Sequence, residues 1–168
     1  SKTKMNILIT GGTGSVGKVL TNLLLRRPEV KKVMVYSRDE HKQERMFRDF
    51  SYNENHAKIR FFIGDVRDKG RLLTAMRDAT HVIHTAALKI VPAMEYNPME
   101  AVKTNVLGTQ NVLEAAGECG VLNHITISTD KAVSPINLYG ATKLTSEKLT
   151  TASNNIYPDS NFNVVRYG

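Results

Sequence analysis

The chain is poor in the features that mark several protein classes. It has a single cysteine, Cys119, so an internal disulfide is excluded and a reducing compartment is expected. Cys119 lies late in an apolar helical pattern and reads as a packing residue. No apolar run approaches the roughly 18 residues that a membrane-crossing helix needs, and no leader-type segment precedes the first strand pattern. The expectation is a soluble, cytoplasmic protein with no membrane contact. Lys and Arg outnumber Asp and Glu by 23 to 16, but they are scattered, with only short pairs such as Arg26-Arg27 and Lys31-Lys32. No DNA- or RNA-binding motif accompanies them, so nucleic acid is not the expected partner. The excess positive charge points instead to an anionic ligand such as a nucleotide cofactor or nucleotide-sugar. Repeats, low-complexity stretches and linkers are also missing, and no metal-ligand set is assigned.

What is present is a steady alternation of strand-length apolar runs with helical patterns. Strands are expected at Asn6 to Thr10, Lys32 to Ser37, Ile59 to Ile63, Thr80 to Thr85, His124 to Ser128 and Phe162 to Tyr167. Helices are expected at Val16 to Leu25, Asp39 to Phe50, Arg71 to Met76, Pro98 to Gly117 and Leu138 to Ala152. The second of these carries Met46, Phe47 and Phe50 as its apolar side. Near-continuous apolar strands between helices predict an α/β fold, a doubly wound parallel sheet of six strands covered on both faces. The whole chain, residues 1–168, reads as one Rossmann-type dinucleotide-binding domain. Ligands bind such sheets at the carboxyl ends of the strands.

The segment Thr10-Gly11-Gly12-Thr13-Gly14-Ser15-Val16-Gly17 follows the first strand and opens the first helix. Gly11, Gly14 and Gly17 make a G-x-x-G-x-x-G pattern. A pyrophosphate needs backbone N–H groups brought very close, and side chains would obstruct that approach. Gly11 is expected to make the tight turn, Gly14 the close approach, and Gly17 the packing of helix on strand. At the end of the second strand an acidic residue would receive ribose hydroxyls, whereas Arg accommodates a 2′-phosphate. Here Ser37 and Arg38 come first, and Asp39 reads as a cap for the next helix. NADP is therefore the expected cofactor, with NAD as the alternative. Asp65 and Val66 fall where an adenine edge would lie, although Asp65 is equally readable as a helix cap. Small Ala86 and Ala87 would let the chain run beside the cofactor. Asn105, inside the long helix, is a further cofactor-site candidate, its other reading being a buried, satisfied amide.

The fifth strand ends in Ser128-Thr129-Asp130-Lys131, and Tyr139-Gly140-Ala141-Thr142-Lys143 follows. Tyr139 and Lys143 are four apart and share a helix face. A neighbouring ammonium favours the phenolate, so Tyr139 is a candidate base near neutral pH.

Over essentially its full length the chain resembles the extended short-chain dehydrogenase/reductases. More narrowly it resembles the inverting UDP-N-acetylglucosamine 4,6-dehydratases of polysaccharide and pseudaminic acid biosynthesis. The resemblance is carried by Tyr36-Ser37-Arg38-Asp39-Glu40, Ala87-Leu88-Lys89, Glu95-Tyr96-Asn97-Pro98, Lys103-Thr104-Asn105-Val106-Leu107-Gly108 and Ser128 through Lys143. Its specific part is Asp130-Lys131, where retaining dehydratases carry Asp-Glu and epimerases lack the pair. One departure is Lys89-Ile90-Val91-Pro92, where the family usually has Lys-His-Val-Pro.

The resemblance implies a division of labour. Tyr139 removes the proton of the sugar 4-hydroxyl while C4 gives a hydride to NADP. Lys131 takes the C5 proton, Asp130 helps the 6-hydroxyl leave as water, and the hydride returns to C6. Ser128 and Thr129 position the sugar or steady its oxyanion. Lys143 holds the nicotinamide ribose and lowers the tyrosine pKa, and Lys89 lies near cofactor and substrate. Homo-oligomerisation through the Pro98 and Tyr139 helices is also implied. Family members run well past the sixth strand, so the region supplying most uridine and sugar contacts is expected to be absent. An epimerase or reductase of the same superfamily, or a non-catalytic dinucleotide-binding fragment, are the competing readings.

Overall fold

The computed structural model describes residues 4–85, 96–129 and 138–167, the side chains of Thr129 and Tyr167 excepted. Six strands, β1 (Met5–Thr10), β2 (Val30–Ser37), β3 (Ile59–Ile63), β4 (His81–His84), β5 (Asn123–Thr129) and β6 (Asn161–Tyr167), form one sheet. Its order is β3-β2-β1-β4-β5-β6, and every pairing is parallel. The chain thus builds outward from β1 through β2 to β3, then returns past β1 to build β4, β5 and β6. The reversal falls between β1 and β4, and that is where a doubly wound sheet opens a crevice at its carboxyl ends.

Around the sheet lie α1 (Ser15–Leu25), α2 (Glu40–Asp49) and α3 (Lys69–Met76). A long helical segment follows as α4 (Pro98–Ala101), a π-helical stretch (Val102–Leu107) and α5 (Gly108–Glu118), and α6 (Leu138–Ile156) precedes β6. Alternation along each strand divides the core in two. Ile7 and Ile9 of β1 and Val33 and Val35 of β2 pack with Leu25 and Met46 on the α1–α2 side. Leu8, Met34 and Tyr36 pack with Leu72, Met76, Val112, Leu113 and Phe162 on the other. Both faces are covered, which is why β1 and β2 read as unbroken apolar runs. Leu8 and Ile9 are completely buried, and each such side chain contributes about 1.5–3 kcal/mol of transfer free energy.

The elements follow the expected order, with three differences. Phe47 does not join Met46 in the core; it is 59% exposed and meets Phe61 edge-on. A helix turns about 100° per residue, so Met46 facing inward rotates its immediate neighbour off the core. The third helix starts earlier than expected because Asp68 caps it, accepting from the Arg71 N–H. The long helix is not uniformly α: the π stretch inserts a wide turn in its first half.

Two histidines lie fully inside. His84 on β4 bridges the hydroxyls of Thr10 (2.6 Å) and Thr109 (2.9 Å). His124 on β5 bonds the Thr126 hydroxyl through Nε2 (2.8 Å), and its Nδ1 has no partner among the described residues. Burial holds His84 well below the usual imidazole range and pushes His124 down to about 3. Both are neutral in the fold, while an unfolded histidine protonates near 6.5. The unfolded chain therefore binds more protons below that pH, and stability is lost as pH falls from 6.5 toward the folded values. The expected slope is up to about 1.4 kcal/mol per pH unit for each histidine. Urea unfolding of a His124→Gln variant between pH 7.5 and 4.5 should show a shallower slope than the parent; an unchanged slope would mean that His124 carries its proton inside the fold.

Candidate active site

The loop between β1 and α1 is shaped by what its glycines lack. Gly11 has φ +62°, a conformation that strains any residue with a Cβ. A Cβ on Gly17 would sit 2.4–2.5 Å from the backbone of Gly12, so α1 lies directly against the loop that precedes it. The expectation that Gly17 packs helix on strand is thereby refined: its close partner is the loop. Gly12, outside the three-glycine pattern, is the residue that meets the sheet, since a Cβ there would be 2.8 Å from Val35 Cγ1. The N-terminus of α1 begins at Gly14 with no side-chain cap and no acidic residue in its first turn. α2 and α3, in contrast, are capped by Asp39 and Asp68. Thr13 and Gly14 are half-buried and Ser15 is exposed at this end. Val16 is half-buried as well. Uncapped N–H groups, the positive end of the helix dipole and a side-chain-free approach suit a pyrophosphate.

At the end of β2 the residues divide in two. Ser37 is buried and accepts a hydrogen bond from Gln43 Nε2 at 3.0 Å. Arg38 is exposed, with its guanidinium 3.9 Å from the Asp65 carboxylate. Asp39 accepts from the His41 and Lys42 N–H groups, which hold its carboxyl below the usual range. Asp65 does not cap α3; it accepts from the Arg67 N–H and stays about one-third exposed beside Arg38. Val66 is buried in the core, its carbonyl taken by Asn111 and its side chain against Gly108.

The Tyr–Lys pair comes from the first turns of α6. Tyr139 and Lys143 are both buried, at 2% and 5% exposure, and the ammonium lies 5.9 Å from the phenol ring centroid. Burial pushes Lys143 down to about 7, and its charge is felt by His84. The π stretch places Asn105 against this helix. Its Nδ2 donates to Thr142 (3.0 Å), the residue just before Lys143, and its carbonyl accepts from Ser146. Asn105 is 1% exposed, and its Oδ1 has no partner among the described residues. It is therefore not the fully satisfied amide that one sequence reading allowed. An orphaned acceptor beside the Tyr–Lys pair is the kind of group that a ligand or an ordered water completes.

Ser128 departs from expectation. It was expected at the sugar, but its hydroxyl donates to Glu147 Oε2 at 2.6 Å and it is 1% exposed. Glu147 also takes a bidentate pair from Arg166 on β6, the residue opposite Ser128 in register. The reason is strand alternation: Ser128 shares a face with Thr126, which bonds Thr150 of α6. Thr129, the next residue, ends β5. Asp130, Lys131, Ala86, Ala87 and Lys89 lie outside the described residues.

Gln43, Glu147, Thr142 and Gly12 were not singled out from sequence. Glu147 had a signal, since Tyr139, Lys143 and Glu147 form an i, i+4, i+8 stripe. Gln43 had none, because its partners are carbonyls on two other strands. Among the described residues no group of three or more His, Cys, Asp or Glu could hold a metal ion, and no helix is long and apolar enough to cross a membrane.

The family described as polysaccharide biosynthesis protein matches residues 7–168. The chain belongs to that family. It is 56% identical over 165 residues to the UDP-N-acetylglucosamine 4,6-dehydratase (inverting) of Campylobacter jejuni, covering 97% of this chain and 48% of that protein. It is 46% identical to a UDP-glucose 4-epimerase of Rickettsia bellii, covering 96% and 48%. The fold matches that of DesIV, a dTDP-glucose 4,6-dehydratase from Streptomyces venezuelae solved with NAD, at a TM-score of 0.80 and 26% identity, covering 98% of this chain and 57% of that one. The chain spans about half the length of the curated relatives it matches. Its structural neighbours are short-chain dehydrogenase/reductase dehydratases and epimerases, several of them solved with NAD, which supports a nicotinamide dinucleotide as the cofactor class.

The low pKa of Lys143 has a measurable consequence. An unfolded lysine protonates near 10.5 and the folded one near 7, so between these values the unfolded chain binds the extra proton. Stability is reduced by this group at pH 7 and below, and the reduction fades as pH rises toward 10.5. Lys143→Met should therefore raise the thermal midpoint at pH 7, by about 2–4 °C per kcal/mol recovered, with the gain shrinking by pH 10. A lower midpoint at pH 7 would mean that Lys143 is held charged by compensating partners.

Proposed function

We propose that this chain carries the dinucleotide-binding and catalytic part of a C5-inverting UDP-N-acetylglucosamine 4,6-dehydratase that uses NADP. The observation that carries the reading is the buried Tyr139–Lys143 pair at the start of the helix after β5, on the sheet edge that also carries the uncapped glycine loop. The 56% identity to an inverting dehydratase supports the substrate. NADP rather than NAD is supported by the end of β2: Asp39 is committed to capping α2, which leaves Ser37 and Arg38 to meet the adenosine ribose.

The dinucleotide, when bound, supplies the redox chemistry by accepting the hydride of C4 and returning it to C6. Gly11, Thr13, Gly14, Ser15, Val16 and Gly17 would hold its pyrophosphate. Ser37 and Arg38 would take the ribose phosphate, and Asp65, the Val66 backbone, Ala86 and Ala87 would flank the adenine, the Val66 side chain being turned into the core. Lys89, Asn105, Tyr139 and Lys143 would surround the nicotinamide end. Tyr139, as phenolate, takes the proton of the 4-hydroxyl as C4 becomes a ketone. Lys143 favours that phenolate through its charge, and burial strengthens the attraction because little water screens it. The ketone acidifies the C5 proton, which Lys131 removes. Asp130 gives its proton to the 6-hydroxyl, which departs as water, and a proton delivered to the opposite face of C5 completes inversion. Thr129 steadies the developing oxyanion.

The 46% identity to a UDP-glucose 4-epimerase sustains a second reading, in which the ketone is reduced again at C4 without loss of water. Asp130-Lys131 weighs against it, because an epimerase needs no acid and base at C5 and C6.

Incubation with UDP-N-acetylglucosamine and NADP, followed by mass analysis of the nucleotide-sugar, separates the two. Loss of one water is expected, abolished by Lys131→Ala and slowed about 10²–10⁴-fold by Tyr139→Phe. An epimerised sugar of unchanged mass would favour the second reading. Cofactor binding with no change to the sugar would leave the chain a dinucleotide-binding module.

A further inference from the structure

The end of β2 contains a side chain with an orientation that is fixed by its neighbours. Gln43, on the first turn of α2, is 6% exposed. Its Nε2 lies 2.9 Å from the Phe62 carbonyl, 3.3 Å from the Ser37 carbonyl and 3.0 Å from Ser37 Oγ. Two of these three partners are backbone carbonyls, which only accept. A flipped amide would set its own oxygen against both, so the NH₂ must face them. The NH₂ has two hydrogens for these three acceptors, so one is shared between the Ser37 carbonyl and Ser37 Oγ; an amide nitrogen accepts nothing, so Gln43 is the donor to Ser37 Oγ and occupies one of its lone pairs. The Ser37 hydroxyl proton must then point elsewhere.

Nothing else around Ser37 claims that proton: the hydrogen bonds of Ser37 Oγ among the described residues are limited to Gln43. The neighbouring charged groups at this end of β2 are Arg38, exposed, and Asp65, 3.9 Å from it; Asp39 is turned into the α2 cap. Ser37 thus presents a donor beside a guanidinium. That combination matches a group that only accepts and carries negative charge, such as a phosphate monoester. It gains less from a ribose hydroxyl, which a carboxylate acceptor would serve better.

We propose that Gln43 is a specificity-determining positioning residue, which fixes the hydrogen-bond polarity of Ser37 so that the site prefers a 2′-phosphorylated adenosine. This rests on the NADP reading above. Gln43 itself touches no cofactor; it acts through Ser37 and by joining the ends of β2 and β3 through Ser37 and Phe62.

The test is calorimetric binding of NADP and NAD to the chain and to Gln43→Met, Ser37→Ala and the double variant. Gln43→Met keeps the length of the side chain and removes the donor. The expected result is a three- to ten-fold fall in the ratio of NADP to NAD affinity for each single variant, on the order of one hydrogen bond. The double variant should fall no further than Ser37→Ala alone, because the effect of Gln43 passes through Ser37. A role confined to folding would weaken both cofactors equally and leave the ratio unchanged, and that outcome would overturn the proposal. So would additive effects in the double variant. If Gln43→Met does not fold, Ser37→Ala alone still decides, since it leaves the two carbonyl bonds of Gln43 in place: an unchanged ratio there removes the path the proposal needs. A parent chain that prefers NAD, or binds neither, would instead overturn the NADP reading, and the proposal with it.

Discussion

The contact between Gly12 and Gly17 governs the geometry of the molecule's ligand edge. With no Cβ at Gly17, the first turn of α1 rests on the Gly12 backbone, and with none at Gly12 the loop rests on Val35 of β2. A side chain at Gly17 would push α1 off the loop, and one at Gly12 would push the loop off β2. That terminus is uncapped, so its N–H groups and dipole are available only if the loop holds them over the carboxyl end of the sheet. The strand reversal between β1 and β4 opens the crevice, and the glycine contact aims the helix into it.

The opposite side of the crevice is held by polar bonds inside the core. α6 carries Tyr139, Lys143 and Glu147 along one stripe. Glu147 ties that helix to β5 through Ser128 and to β6 through Arg166. Asn105, set in the π stretch, ties it to the long helix through Thr142 and Ser146. Of this pair only Glu147 is buried while Arg166 stays exposed, and removing the guanidinium would leave a buried carboxylate short of its partner, so the pair fixes geometry more than it adds stability. Burying Lys143 works in the same direction. Burial pushes the lysine down to about 7 at a cost to the fold, and a phenolate developing beside it would favour the charged form.

Much of this was legible in the chain itself. Unbroken apolar runs such as Ile7-Leu8-Ile9 required a sheet buried on both faces, and alternation with helical patterns required parallel strands. The glycine spacing and the four-residue interval between Tyr139 and Lys143 are local, and local patterns survive folding because the residues concerned lie on one element. Phe47 was misjudged because apolar character alone does not fix helix phase. Ser128 was misjudged because its role depends on which face of β5 meets α6.

The sequence by itself determined the class of fold, the glycine loop ahead of the first helix and the placing of Tyr139 and Lys143 on one helix face, since each follows from periodicity or spacing within a single strand, loop or helix. Only the tertiary structure decided the π turn that turns Asn105 toward α6, the clamp of Glu147 on β5 and β6, and the bond by which Gln43 orients Ser37. Each of these joins residues from different elements, at sequence separations of 37 for Asn105 with Thr142 and 19 for Ser128 with Glu147. Gln43 and Ser37 are only six apart, yet the orientation of that amide is set by the Phe62 carbonyl on a neighbouring strand. Such partners are chosen by packing and by the need to satisfy buried polar groups, and no one-dimensional pattern records them.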